Sequence, residues 1–223
     1  MRAIIVLAVI VSLCDARQSL SATPKPQQRT IARCEYAASE GVNPIGSGCT
    51  IFQKRFEVLP SAPIVYRLET FSSLSAARAA ETASSAVVQA AGKVWLIAVA
   101  TKGSRSTMGN FVAEIGPLAL KHAAAYELTV GEARFGPDAI NLPHTHPGPE
   151  AWYLLRGTQC LELANGRTIR AHAGESAAAP ADTPMRLTFL DQRDALLMII
   201  GDAARPWSSP STWKPLNLCE STK

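Results

Sequence analysis

The sequence lacks an apolar run long enough to cross a membrane. Its most apolar stretch, residues 3–13, has eleven residues, whereas a transmembrane helix needs about 20. Because the basic Arg2 precedes this stretch and small residues follow it at Cys14 and Ala16, the pattern predicts a signal peptide over residues 1–16. We therefore expect an exported protein, periplasmic or secreted. Lipid attachment at Cys14 is the alternative, disfavoured by Leu13, since a lipoprotein signal carries a small residue there.

An excess of charge of one sign is also lacking. The chain has 22 Lys and Arg against 18 Asp and Glu, with a formal net charge of +4. The basic residues are scattered singly and do not alternate with aromatic residues along a stripe, so we expect no nucleic-acid partner. With 47% hydrophobic and 18% charged residues, the composition excludes large-scale disorder and is sufficient for one substantial core.

Cysteines are few, but their number suits an exported chain. Cys34, Cys49, Cys160 and Cys219 follow the predicted signal, and four cysteines permit three pairings. We predict a Cys34–Cys49 disulfide, because both residues lie in a Gly/Pro/Asn-containing stretch that a cross-link would stabilise. Cys160 lies in a strand pattern and is predicted to be a small buried core residue, not a nucleophile. Four free thiols remain the alternative.

Short strand patterns separated by turn residues dominate the rest of the chain. Residues 17–30 predict a flexible leader. One Ala-rich helix is predicted over residues 75–91, with a cap at Ser72 or Ser73, and Asn165-Gly166 predicts a type I′ hairpin. The pattern favours a mostly all-β barrel or sandwich. The predicted strands are 51–59, 64–71, 93–100, 111–115, 126–135, 150–155, 157–163, 168–173, 184–190 and 195–200.

The most informative segment is 144–150, which reads His-Thr-His-Pro-Gly-Pro-Glu. In extended backbone, residues i and i+2 project from the same face, so His144 and His146 can point to one place. The Pro-Gly-Pro corner turns the chain and brings the Glu150 carboxylate towards that place. Two imidazole nitrogens and one carboxylate, with open positions, are typical of Fe(II) sites and can also hold Mn, Ni, Cu or Zn.

This segment resembles the first motif of the cupin superfamily, a His-x-His pair followed by Glu and then Gly. The matching residues are His144, His146, Glu150 and Gly157. The resemblance implies a double-stranded β-helix barrel with a metal at its centre, and it is compatible with a homodimer.

The second cupin motif is matched only in part. Gly174 and Pro180 stand at the expected interval, but Asp182 replaces the motif's glycine and Met185 replaces its histidine. The family's fourth ligand is therefore missing, and a thioether is a poor ligand for Fe(II), Mn(II) or Zn(II). Either Met185 packs beside a metal held by three ligands, or the metal is weak or absent and the pocket binds an apolar molecule. We favour the first, because a bare Glu150 in a closed barrel would be costly.

The predicted organisation has five parts. They are a signal peptide (1–16), a flexible leader (17–30), an N-terminal α+β extension with strand-helix-strand order packed on the barrel (31–118), the cupin-like barrel (119–204) and a C-terminal tail (205–223) that we expect to lie over the surface.

The function that the resemblance implies is a dioxygenase-like oxidoreductase using a divalent transition metal on a small chelating organic substrate. Trp152, Arg156 and Met185 are candidates for substrate contact, although each is equally compatible with a purely structural role. The alternative from another class is a non-catalytic exported protein that binds or senses a small molecule. A purely structural barrel is a third hypothesis, disfavoured by the placement of the ligands.

Overall fold

The computed structural model of the protein describes residues 29–30, 42–43, 49–104, 109–136 and 139–220. Within these ranges one α-helix, α1, covers Leu74–Ala80. The strands are β1 Arg29–Thr30, β2 Val42–Asn43, β3 Cys49–Phe56, β4 Ile64–Phe71, β5 Ser85–Ala90, β6 Lys93–Thr101, β7 Asn110–Ile115, β8 Tyr126–Phe135, β9 Ile140–Asn141, β10 His144–Thr145, β11 Glu150–Arg156, β12 Thr158–Leu163, β13 Thr168–His172, β14 Ser176–Ala179, β15 Met185–Phe189, β16 Arg193–Asp202 and β17 Ser209–Pro210.

The ends of the chain are only partly described. The predicted signal peptide, 1–16, lies outside the described residues, as does most of the predicted leader. The last two leader residues form β1, which pairs antiparallel with β3. Among the described residues, none of the helices has the length and apolar character that a bilayer crossing requires.

Two antiparallel sheets build the predicted barrel. One has six strands in the order β1-β3-β8-β16-β11-β14, and the other has five in the order β13-β12-β15-β10-β17. Alternate residues of both sheets meet in a single apolar core, for example Trp152 and Leu197 from the first sheet and Leu161 and Leu187 from the second. The prediction of a mostly all-β, barrel-like fold is confirmed.

A second core lies on the opposite face of the six-stranded sheet. The four-stranded sheet β5-β6-β4-β7 packs there, and its Tyr66 and Trp95 join Val130 and Met198 of the barrel wall. Helix α1 covers the far side of the four-stranded sheet. Strand β3 comes from the predicted extension but pairs with β8, so the extension and the barrel share a sheet. The predicted domain boundaries stay predictions.

The predicted helix is too long. Helix α1 begins at the cap Ser73, whose side chain accepts a hydrogen bond from the Ala76 N–H at 3.2 Å. The prediction of helix to residue 91 is wrong, because β5 occupies its second half and pairs with β6. Ala91 and Gly92, with φ of 49° and 71°, make the tight turn between these strands. Pairing within the sheet therefore outweighs the helix propensity of alanine.

The Asn165-Gly166 hairpin is confirmed, but its predicted turn type is wrong. A type I′ turn needs positive φ at both central residues, whereas only Gly166, at 79°, has it. The last paired residues are Glu162 and Thr168, so the loop is longer than the two residues that a type I′ turn connects.

The cysteines are cross-linked. Cys160 is buried, as predicted, and it forms a disulfide with Cys219, so the free-thiol alternative is wrong for this pair. Cys49 is also disulfide-bonded. Its predicted partner, Cys34, lies outside the described residues, and the Cys34–Cys49 pairing stays a prediction.

Candidate metal centre

The three predicted ligands come from both sheets of the barrel. His144 begins β10, where it is paired with Met185 of β15 and with Pro210 of β17. Glu150 begins β11, between Ala179 of β14 and β16. The short segment between β10 and β11 therefore carries the chain from one sheet to the other, which brings His146 between the two.

The Pro-Gly-Pro corner fits tightly against β16. A Cβ atom on Gly148 would lie 1.7 Å from the carbonyl oxygen of Ile200 and 2.7 Å from the Cα of Gly201. Only glycine permits this approach of two backbones. On the other side of the corner, the Asp182 N–H donates to the His146 carbonyl at 2.9 Å. The corner is therefore held between β16 and the loop before β15, and it fixes where Glu150 begins its strand.

The three side chains converge. One ligand atom from each of His144, His146 and Glu150 lies within 4.8 Å of the others, and His146 Nε2 is 3.3 Å from Glu150 Oε2. Their exposed fractions are 0%, 1% and 0%. Water therefore does not solvate this carboxylate, and a cation among the three groups would compensate its charge.

Backbone carbonyls orient both imidazoles. His144 Nδ1 donates to the Leu142 carbonyl at 2.7 Å, and His146 Nδ1 donates to the Trp207 carbonyl at 2.5 Å. A donor at Nδ1 leaves the lone pair of a neutral imidazole on Nε2, as metal-binding histidines require. His144 Nε2 is buried without a hydrogen-bond partner in the described part of the chain. The residues therefore fit a metal ion.

The two histidines differ in basicity. Burial lowers the pKa of His144 and outweighs the opposing charge of Glu150. Burial also opposes protonation of His146, but the charge of Glu150 and its contact with the ring, together with the Trp207 carbonyl, raise the pKa of His146 above its usual value. The pKa shifts of the two rings therefore run in opposite directions, although both rings are buried.

A comparison with protein families identifies the barrel. Residues 131–201 match the model of the cupin domain. Residues 131–201 of this chain are a cupin domain. No curated protein matches the chain.

Solved structures with similarity to this cupin include enzymes and proteins named only by fold. A DMSP lyase from Ruegeria pomeroyi is 20% identical, with 39% of this chain and 43% of that chain covered and a TM-score of 0.32. A cupin-like protein from Thermotoga maritima is 16% identical, with 38% of this chain and 64% of that chain covered and a TM-score of 0.34. An oxalate decarboxylase from Lactobacillus farciminis is 16% identical, with 37% and 26% covered and a TM-score of 0.32. This chain thus spans less than half of the DMSP lyase.

The predicted substrate-contact residues fall in different places. Trp152 is fully buried on the inward face of β11, two residues from Glu150, and Met185 is fully buried opposite His144. Both therefore line the cupin barrel beside the candidate ligands. Arg156 is exposed at the far end of β11, and the structure does not bring it to the site.

Two groups in the barrel interior are not among the residues predicted from the sequence. The first is the tail residue Trp207, whose ring stacks on His146 with centroids 5.7 Å apart and 14° between the planes. The tail thus lies over the surface but also reaches the site, which nothing in its Pro-rich sequence indicates. The second is the buried pair Arg193 and Gln159. Arg193 precedes three alternating apolar residues, at 195, 197 and 199, and this alternation was the signal that could have placed it inside.

Proposed function

We propose that this cupin is an exported, metal-dependent enzyme, a dioxygenase-like oxidoreductase that acts on a small chelating organic substrate. The observation that carries the proposal is the convergence of three buried ligand atoms within 4.8 Å, with both imidazoles oriented by backbone carbonyls. A set that is already arranged loses little conformational freedom when an ion binds. The Cys160–Cys219 disulfide is compatible with the oxidising compartment of an exported protein.

The donor chemistry suits a divalent transition metal. Two neutral nitrogens and one carboxylate can hold Fe, Mn, Ni, Cu or Zn. When bound, the ion supplies Lewis-acid activation and open positions for a chelating substrate or oxygen. Glu150 balances part of the ion's charge, and the His146 ring is held in place by Trp207.

The surrounding residues have separate tasks. Trp152 and Met185 form a buried apolar wall beside the ligands, which excludes water and sets the shape of the substrate that fits. Trp207 covers one ring face of His146. In this proposal Met185 would pack beside the ion and contribute no strong bond to it, because its thioether is soft and neutral.

Metal analysis of the purified protein tests the site. We expect about one equivalent of a transition metal in the wild type, and its loss in His144→Ala, because the remaining two ligands cannot replace the missing nitrogen. His172→Ala is the matched control, since His172 is exposed and contacts Thr158, not the barrel interior. Equal metal content in His144→Ala and the wild type would contradict the proposal.

Oxygen consumption separates an enzyme from a binding protein. The metal-loaded wild type is expected to consume oxygen with some member of a panel of phenols and diketones, and His144→Ala is not. Metal-loaded protein that binds members of the panel without consuming oxygen would favour the non-catalytic alternative, a small-molecule-binding or sensing cupin of the cell envelope.

A further inference from the structure

A fully buried arginine lies inside the barrel, outside the candidate ligand set. Arg193 is the first residue of β16 and has an exposed fraction of 0%. The pairing of β16 with β8 runs without a register shift, so Arg193 faces the same side as Ala195, Leu197 and Ile199, which belong to the inner core. The guanidinium is therefore enclosed by the two sheets of the barrel.

The nitrogens of this guanidinium have no hydrogen-bond acceptor. Nε, Nη1 and Nη2 of Arg193 are all buried without a partner in the described part of the chain. The group lies 5.5 Å from the ring centroid of Phe189, which stacks on Phe135. Burial lowers the pKa of Arg193 to about 10, against the opposing charges of Glu150 and Asp194, so it remains a cation at neutral pH. Because none of its N–H groups meets an acceptor in the described part of the chain, an anion that accepts hydrogen bonds from this guanidinium would stabilise it.

Two more polar groups inside the barrel also lack partners. Gln159 is fully buried, and among the described residues neither its amide nitrogen nor its amide oxygen has a hydrogen-bond partner. It is paired with Phe189, the residue whose ring also contacts Arg193. Trp152 Nε1 is also a buried donor without a partner in the ranges that the structure describes, and Trp152 lies two residues along β11 from Glu150. Unsatisfied buried polar groups are rare in folded proteins, and here they share one interior.

The unpartnered guanidinium indicates the sign of the missing ligand, and the charge of the proposed metal centre agrees with it. Arg193 contributes one positive charge and Glu150 one negative charge, and a divalent cation at the proposed metal centre would leave a net charge of +2. The flat fork of a guanidinium matches a carboxylate, which it binds through two parallel N–H donors. The amide of Gln159, which is paired with Phe189 beside Arg193, is suited to donate to further oxygens of the same molecule.

We propose that Arg193, together with Gln159, binds the carboxylate of a small organic acid inside the barrel, so that the substrate of this cupin is a carboxylate. The inference rests on the proposed function in that the barrel interior must admit a small molecule. It does not require any particular metal, because the carboxylate is held by Arg193.

The test is thermal unfolding with matched acids and amides. Acetate, propionate and benzoate are titrated beside acetamide, propionamide and benzamide, and beside sodium chloride at equal ionic strength. We expect at least one carboxylate to raise the Tm of the wild type while its amide does not. In Arg193→Met the apparent Kd of that carboxylate rises by about 30-fold or more. Arg156→Met, which removes an exposed arginine of the same barrel, keeps the wild-type shift.

The Tm of the variants in the absence of any ligand gives a second test. Arg193→Met should unfold at the same or a higher Tm than the wild type in anion-free buffer, because it replaces an unpaired buried charge with an apolar side chain. If Arg193→Met does not fold, the nearly isosteric Gln159→Met is compared instead, with a weaker carboxylate shift expected.

Three results would overturn the inference. The first is an unchanged Tm shift with carboxylate in Arg193→Met, or in Gln159→Met where that variant takes its place. The second is the absence of any Tm shift with carboxylate in the wild type. The third is an equal Tm shift with chloride, which would show that the site binds an inorganic anion. Metal content is measured on the same samples, so a missing carboxylate shift with His144-dependent metal leaves the proposed function standing. If the metal is missing but the carboxylate shift is intact, the proposed function fails while the carboxylate inference stands.

Discussion

At the scale of single residues, Gly148 has no room for a methyl group. We predict that Gly148→Ala lowers metal affinity by about 10–100-fold, the usual effect of disturbing the groups that orient ligands. The reason is that its Cβ would meet the Ile200 carbonyl at 1.7 Å, which forces the corner away from β16 and moves Glu150. Titration of the purified protein with Zn(II) or Co(II) measures this.

Gly136→Ala is the control for that substitution. A Cβ atom there meets nothing within 4 Å, so this variant should bind metal like the wild type. Wild-type affinity in Gly148→Ala would mean that the corner does not position the ligands.

The candidate ligands could be predicted from sequence because their geometry is local. His144, His146 and Glu150 lie within seven residues, and the alternation of a strand followed by a Pro-Gly-Pro corner is sufficient to bring them together. The contact of Trp207 with His146 joins residues 61 positions apart, and no local pattern encodes such a contact. The sequence does not indicate an interior position for Arg193 for a different reason, since a charged residue at the start of a strand usually lies at the surface.

At the scale of elements, Asp182 links three of the segments that connect the strands. It precedes β15, and its carboxylate accepts from Lys121 Nζ, before β8, at 2.7 Å and from Arg205 Nη2, after β16, at 2.6 Å. Its φ of 54° lies in the left-handed region that glycine, Asn and Asp tolerate best. This explains how an aspartate can occupy the position where the cupin motif has glycine. The two ion pairs further stabilise the aspartate there.

We predict that Asp182→Asn lowers the free energy of unfolding by about 0.5–1.5 kcal/mol at pH 7, since asparagine keeps the backbone conformation but loses both ion pairs. Hydrogen bonding to Arg205 lowers the pKa of Asp182 in the folded protein. Its contribution is therefore present above the unfolded-state pKa of about 4 and is lost as the pH falls through the lower folded-state value. Urea unfolding of both proteins from pH 7 to pH 2.5 measures this, and a difference that persists at the lowest pH would contradict it.

Elements also show where sequence reasoning fails. Alanine-rich residues 75–91 predict one helix, yet the helix ends at Ala80 because β5 finds a partner in β6. The competition is decided by sheet pairing and by the Ala91-Gly92 turn, neither of which is visible in helix propensity. Strands with clear alternation, such as β8, β11 and β16, were predicted within a few residues.

At the scale of the whole molecule, the C-terminal tail crosses the barrel and is attached at several points. Trp207 contacts His146, β17 pairs with β10, the Leu216 N–H donates to Glu162, and Cys219 is bonded to Cys160. These contacts are spread along the tail, so removing the disulfide at Cys219 should not release Trp207 from His146.

We predict that the double variant Cys160→Ala, Cys219→Ala loses about 2–4 kcal/mol of unfolding free energy, because its unfolded chain is no longer constrained by this cross-link. Its metal content should equal that of the wild type, since Trp207 is held independently by β17. Denaturant unfolding and metal analysis of the same preparation measure both quantities. Metal loss at unchanged stability would show instead that the disulfide holds the site.

The wall formed by the six-stranded sheet has consequences for assembly. One face carries the inner core of the barrel and the other is covered by the chain's own four-stranded sheet. A second subunit would have to displace Tyr66 and Trp95 in order to dock on that wall. A homodimer of the kind that the cupin resemblance suggests would therefore use a different surface, because the chain's own N-terminal sheet already covers this face.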